Sequence, residues 1–504
     1  MADDQHDAIA FLNDASSYGD GVADVQRLQT HISHVFLAGG HAYKLKRAIA
    51  YPYLDFSTIE KRRQACEAEL TLNRRTAPEL YLAVRALVRR ADGGLAWNGD
   101  GEVVDWVVVM RRFEQDRRLD AVAKAGGLTP PLLYALAAHI AEFHASAEPR
   151  PESGGAAGLA VIVRENDECL RGCGDIIFAR EPILNLNARS TAWLGQVGDL
   201  LERRRAEGKV RRCHGDLHLR NICVLDDKPV LFDCLEFSEV FASIDVLYDL
   251  AFLLMDLEHQ GHAASANLVF NRYLDLTGED DGLAAMPLFF SLRAAIRAHV
   301  TAPAGGDGAT AEARRYLDEA CAALQPPPAR LIAIGGLSGT GKSTLAAALA
   351  PLPGARPGAR VLRSDVIRKR LFGLAPEARL PEDAYATEVS ERVYQALRSL
   401  AASALQAGYC AIIDTVALRA EERQAFAAVA AAAHVPFTGI WLDAPAAAMT
   451  ARVETRQGDA SDATRAVVER QLQLDPGSVD WQRIDTSSSP TEVLTAAKKL
   501  LELD

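Results

Sequence analysis

Four apolar residues in a row, Leu331-Ile332-Ala333-Ile334, run into a glycine-rich stretch at 336–344 and then into Leu345 and a row of alanines. A short continuous apolar run reads as a buried strand, and the alanine-rich segment behind the glycines reads as the start of a helix. Two further runs, 359–363 and 410–413, predict more buried strands, so the rear of the chain reads as an α/β unit with a parallel sheet. The front is patterned differently. Residues 34–47 predict a hairpin turning at Gly39-Gly40, 62–75 a helix and 105–110 a buried strand, while 131–147, 191–207, 244–259 and 283–299 are mostly helical in pattern. Strands first and helices afterwards predict an α+β unit, a small sheet-bearing lobe followed by a helical lobe.

A change of texture separates the two. Residues 304–309 are glycine-rich, 311–324 are helical in pattern, and 325–328 read Gln-Pro-Pro-Pro. The expected division is 1–300, a 301–328 linker with a short helix and a Pro-rich end, and 329–504. A chain of 504 residues is too long for one ordinary core, and no internal repeat relates its halves.

Composition mainly excludes. With 49% hydrophobic and 24% charged residues the chain is globular in composition, and no apolar run reaches the roughly 20 residues that span a bilayer. The opening MADDQHDAIAFL is acidic where a signal peptide is basic. Eight cysteines are scattered, and the one close pair, Cys169 and Cys173, has neither a second pair nor a histidine cluster beside it. These features predict a cytoplasmic protein with no membrane partner and no zinc. The net charge of −12 lies wholly within residues 1–328, residues 329–504 being balanced. An acidic front argues against nucleic acid as its partner and permits a cationic small substrate.

The glycine-rich stretch reads GLSGTGKST and fits the Walker A or P-loop pattern G-x-x-x-x-G-K-[ST]. Strand, loop and helix in this order let backbone N–H groups from Gly336 to Thr344, including Ser338, Gly339, Thr340 and Gly341, cradle phosphates. Lys342 reaches the outer phosphates and Ser343 ligates magnesium. A second string, HGDLHLRN at 214–221, sets an Asp and an Asn five residues apart, and the apolar 230–232 leads to Asp233. Phosphoryl transfer from a metal-bound nucleotide needs a base for the acceptor hydroxyl and oxygen ligands for magnesium. Asp216, Asn221 and Asp233 supply those roles. His214 and His218 flank the base and read as loop-positioning, since this mechanism does not require histidine.

The pattern HGDLHxxN with a downstream Asp resembles the aminoglycoside phosphotransferase family, relatives of protein kinases, over roughly residues 30–300. The resemblance implies a protein-kinase-like α+β fold in which Asp216 is the catalytic base, Asn221 and Asp233 hold magnesium, and 110–113 is the hinge near adenine. It also implies a strand lysine paired with a helix glutamate. Lys44 or Lys46 and Glu67 or Glu69 are available, and Lys44 with Glu69 is the expected pair. The chain departs from the kinase pattern twice: no G-x-G-x-x-G precedes the lysine, and Asp233 is followed by Cys-Leu instead of a glycine-bearing motif.

In the rear unit Asp365 and Asp414 fall at the C-terminal ends of predicted strands, the ligand edge of an open α/β sheet. Asp365 with Arg368 resembles the D-x-x-R acceptor motif of polynucleotide-kinase-like and zeta-toxin-like P-loop kinases, which implies that Asp365 activates a hydroxyl and Arg368 steadies developing charge. Asp414 takes the Walker B-like position. Arg452 and Arg456, at i and i+4, resemble a phosphate-clamping lid. The whole chain is similar to bacterial bifunctional aminoglycoside phosphotransferase/ATP-binding proteins, through LDFSTIEKRRQACEAEL, LNRRTAPELYL, CHGDLHLRNI and SDVIRKRLFG. The expected function is an ATP- and Mg2+-dependent two-site kinase acting on hydroxyl groups of small molecules. Its rivals are a nucleotide-regulated scaffold with a pseudokinase front, and a nucleic-acid 5′-hydroxyl kinase in the rear domain.

Overall fold

A computed structural model describes residues 5–51, 54–455 and 460–503. The chain forms two compact units, residues 1–154 with 205–250, and residues 155–204 with 251–504.

The first unit is built on a six-stranded antiparallel sheet in the order Val25–Gln29, Ser33–Ala38, His41–Lys46, Glu102–Arg111, Tyr81–Arg89, Leu95–Trp97. The expected hairpin is its second and third strands. Because side chains alternate along a strand, neighbouring residues enter different cores. Ala42, Val108 and Met110 pack with Cys66 of the helix Ile59–Asn73, whereas Tyr43, Leu45, Val107 and Val109 pack with Ala8 and Leu12 of the helix His6–Asn13. Thr58 caps the first of these helices by accepting from the Lys61 N–H. The same unit holds the helix Pro130–Ser146, a hairpin of Ile222–Leu225 with Lys228–Leu231, and the loop 213–221 that leads into it.

The second unit has a five-stranded, wholly parallel sheet in the order Arg360–Arg363, Ala411–Asp414, Leu331–Gly335, Phe437–Asp443, Gln482–Asp485. Three of these strands, Arg360–Arg363, Ala411–Asp414 and Leu331–Gly335, are the apolar runs seen in the sequence, whereas Phe437–Asp443 and Gln482–Asp485 were not singled out there. Ile332, Ile334, Ile412, Ile440 and Leu442 pack under the helices Lys342–Leu349 and Pro490–Leu501.

The helices Gly155–Gly172, Ala263–Thr277 and Met286–Thr301, which fall within the expected 1–300 region, pack with this second unit. Polar chemistry at the edge of the parallel sheet accounts for it. An edge strand exposes unpaired backbone groups. Here Asn267 Nδ2 donates to the carbonyls of Pro357 (3.0 Å) and Ala359 (3.1 Å), and Asn271 Oδ1 accepts from the Val361 N–H at 2.7 Å. Arg360, fully buried, pairs with Asp280 and Asp275, each at 2.7 Å. Removing one partner of a buried ion pair strands the other charges. Arg360→Leu is therefore expected to lower stability by about 3–5 kcal/mol, read as a fall in the urea midpoint of the full chain.

The glycine-rich stretch at 304–309 does not stay loose: the helix Gly306–Ala323 starts inside it and buries Ala313, Tyr316, Leu317 and Ala320. The helical stretch Glu279–Ala304 is long and apolar enough to cross a membrane by composition, which the sequence reading did not single out. Its apolar window is 72% buried within the protein, as a core helix is.

Candidate functional site

In the first unit, strand alternation turns Lys44 toward the helix Ile59–Asn73, whose phase decides between two glutamates. Glu67 lies on the outer face, paired with Arg63 at 3.0 Å, while Glu69 is fully buried with one oxygen 2.8 Å from Lys44 Nζ. Lys44 Nζ also lies 2.5 Å from Asp233 Oδ1. Burial alone would discharge the ammonium, but Asp233 and Glu69 outweigh it and raise Lys44 well above its usual value. Burial likewise opposes the charge on Glu69, yet Lys44 and Lys46 hold it down to about 2. The sequence left Lys46 as the alternative to Lys44; the structure puts both on Glu69, one per oxygen.

The loop 213–221 presents the other candidates. Asn221 Nδ2 donates to Asp216 Oδ2 at 2.8 Å and to the Asp216 carbonyl at 3.0 Å, and His218 Nε2 lies 3.4 Å from the same carboxylate. Asp216 and Asp233 keep 39% and 40% of their side-chain surface exposed, so both remain open to a ligand where Glu69 is sealed. The loop is held from behind by Asp249, a residue sequence reasoning missed. Its two oxygens accept from the N–H groups of Gly215 (2.9 Å) and His214 (3.1 Å) and meet His144 Nε2 at 3.1 Å. Among the described residues His144, Cys213 and Asp249 form the one group with metal-ligand spacing. Both Asp249 oxygens already serve the loop, so this trio is structural. Burial keeps the His214 imidazole below its ordinary value, and its Nε2 meets the Phe232 carbonyl at 3.0 Å.

Asp233 itself adopts a left-handed backbone, φ +59°, which is uncommon for a residue other than glycine. Tyr81 OH accepts its N–H at 3.1 Å and Asn73 Oδ1 accepts that of Cys234 at 2.8 Å, which fixes the turn. At the expected hinge, Phe113 packs edge-on against Phe232 with ring centres 5.3 Å apart.

In the second unit the P-loop joins Leu331–Gly335 to Lys342–Leu349. Gly336 (φ +132°) and Gly339 (φ +83°) have no room for a side chain: a Cβ would stand 2.6 Å from the Leu442 carbonyl oxygen and 2.5 Å from that of Met449. Glycine is thus required at both for the loop to close against 442–449. Lys342 Nζ donates to the Leu337 carbonyl at 2.9 Å, and Ser343 Oγ to Asp414 Oδ2 at 2.6 Å. A hydroxyl and a carboxylate side by side are hard-oxygen donors of the kind magnesium takes. The Ser338 N–H donates to Gln471 Oε1 at 2.8 Å, a partner no sequence signal announced. Arg363, also missed, lies 3.2 Å from Ser343 Oγ and 3.4 Å from Asp414 Oδ2.

Asp365 opens the helix Ser364–Leu371 at the end of the edge strand and bonds to Ser461. Burial, opposed by Arg363 and reinforced by Asp414, raises its carboxyl above the ordinary carboxylate value. Arg368, expected to steady charge beside it, is buried. It donates to the Ala384 carbonyl at 2.7 Å and lies under the Tyr385 ring, 5.0 Å from its centre. Arg452 binds the Gly339 carbonyl at 3.2 Å and the Thr486 carbonyl at 2.7 Å, so it is fastened to the P-loop. Arg456 lies outside the described residues.

Residues 61–289 match the model of the phosphotransferase enzyme family, APH, and residues 331–475 that of an AAA domain, AAA_33. Uncharacterized protein Rv2004c of Mycobacterium tuberculosis is 31% identical over 473 residues, 91% of this chain and 92% of that protein, and Mb2027c of Mycobacterium bovis matches to the same extent. A sugar kinase from Janibacter sp. HTCC2649 aligns with 35% of this chain and 96% of its own at 20% identity, with a TM-score of 0.26. Choline kinase from Cryptosporidium parvum aligns with 63% and 94% at 9% identity, with a TM-score of 0.40. At those scores the two structural likenesses carry no argument about chemistry. On the 31% match over 91% of its length the chain belongs to the Rv2004c family, and within the chain an APH phosphotransferase domain precedes a P-loop kinase domain.

Proposed function

We propose that the chain is a cytoplasmic, ATP-dependent phosphotransferase with two sites, each moving a γ-phosphate to a hydroxyl group of a small molecule. What supports the reading is that each unit, taken separately, gathers a lysine, a set of hard-oxygen donors and an accessible or raised carboxylate. Asn221 and Asp233 in front, and Ser343 and Asp414 behind, would hold magnesium, which when bound supplies charge neutralisation on the transferring phosphoryl group. Lys44 holds the inner phosphates in front; Lys342 holds the outer phosphates behind, where Arg452, fastened to the P-loop, and Arg456 would clamp the transferring group. Asp216 and Asp365 accept the proton of the attacking hydroxyl. The raised carboxyl of Asp365 suits that task, because a base works best with its pKa nearer the working pH. The bond to Ala384 gives Arg368 a bracing role for the Tyr385 turn at the acceptor side.

Asp365→Asn is expected to leave nucleotide affinity within about twofold while lowering transfer at the rear site about 100-fold or more. Mass spectrometry of products from a metabolite panel incubated with ATP checks the loss and names the acceptor. Products that form independently of both Asp216 and Asp365 would overturn the two base assignments, and ATP binding with no product from any acceptor would return the scaffold reading. A titration of acceptor binding against salt separates the third reading, since a polynucleotide contacted through several phosphates loses affinity steeply with salt and a small molecule does not.

A further inference from the structure

Lys44 and Lys46, two apart on one strand, face the same side of the sheet. Lys46 is fully enclosed, and its ammonium is paired with Glu69 Oε2 and with Glu236 Oε1; the Phe56 ring lies 5.3 Å away. Glu236 is sealed as well, with 4% of its side chain exposed. Charges so far from water are retained only at a cost in desolvation, which is offset when each is closely paired. The arrangement has a geometric consequence. Glu236 lies three residues past Asp233, so the two lysines of one strand hold both ends of the segment 233–236, with Glu69 as their common partner. Asp233 keeps 40% of its side-chain surface exposed, whereas Lys46 and Glu236 are closed off.

Resting on the reading of the front site as a metal–nucleotide site, we propose that Lys46 and Glu236 are positioning residues for Asp233. Their buried ion pair ties the turn that carries Asp233, left-handed at φ +59°, to the lysine strand and to Glu69. The tie remains when phosphates draw Lys44 away from Asp233.

The test uses the full chain carrying Lys342→Ala, so that the rear P-loop is weakened. ATP affinity is measured by calorimetry in magnesium and again in EDTA, and the ratio of the two reports what Asp233 contributes through the metal. Lys46→Met and Glu236→Gln are expected to lower that ratio tenfold or more, with the EDTA affinity within twofold of the parent, and Lys46→Arg to keep most of it. A thermal melt of each variant reports folding separately, a readout on which a merely structural pair would act alone. Should either truncation fail to fold, Glu236→Asp, which keeps the charge but shortens its reach, is expected to lower the ratio at least threefold. A parental ratio in every folded variant overturns the tether. Asp233→Asn distinguishes the two layers: a collapsed ratio there with parental ratios in the Lys46 and Glu236 variants overturns the tether alone, and a ratio unmoved by Asp233→Asn overturns the front-site reading and the tether with it.

Discussion

Replacing Lys342 by alanine is expected to lower ATP turnover at the rear site by about 100-fold to 1,000-fold, the range seen when one preorganised stabiliser of transition-state charge is removed. Lys342 begins the helix Lys342–Leu349, and alanine suits that position, so the strand, loop and helix persist. The close approaches of Gly336 and Gly339 to the 442–449 carbonyls do not involve the lysine side chain either. What goes is the ammonium that rests on the Leu337 carbonyl, 2.9 Å away, and that must turn to the outer phosphates as charge develops on them. The measurement is phosphate release by full-length protein with Asp216→Asn silencing the front site, beside a circular-dichroism melt to show that the fold is kept. Turnover equal to that of the Lys342 parent would sink the rear assignment.

Asp216→Asn, introduced into Lys342→Ala protein, is expected to spare ATP binding and to lower front-site transfer by about 100-fold to 10,000-fold, the usual share of a positioned general base. The substitution is mild in shape. Asn221 Nδ2 donates to Asp216 Oδ2 at 2.8 Å, and an amide oxygen accepts that bond as a carboxylate does. The rear of the loop is held by Asp249 through the His214 and Gly215 amides, which the change does not touch. The loss therefore reports the missing proton acceptor. Front-site activity is read on a panel of hydroxylated acceptors that includes cationic aminoglycosides, which the acidic front section of the chain favours. If no acceptor yields a residual activity sensitive to Asp216→Asn, the front domain is a pseudokinase.

Local order made much of this protein legible. The P-loop could be read because strand, glycines, lysine and helix are consecutive, and the loop geometry is set within one turn of chain. Three of the five strands of the parallel sheet were readable as apolar runs, and the hairpin over 34–47 by its turn at two glycines, because the pattern of a strand or a turn is a property of neighbours. Asp216 with Asn221, five residues apart, belongs to the same class.

What the sequence could not decide were the partners reached across the fold. Lys44 and Lys46 are equivalent on paper, and only the phase of the helix Ile59–Asn73 against the sheet shows that Glu69, not Glu67, takes both. Asp249 sits in an ordinary-looking helix, 34 positions from the Gly215 amide it holds. Arg368 matches a motif, yet a contact with Ala384 16 residues on turns it into the protein. Asn267, Asn271 and Arg360 make the helices before the P-loop part of the second unit through bonds spanning 80 to 92 residues. The sequence by itself determined which chemistry the chain carries and on which local elements. The tertiary structure alone decided which charges meet, because burial makes an unpaired charge costly and so selects partners by their place in the fold, whatever their distance along the chain.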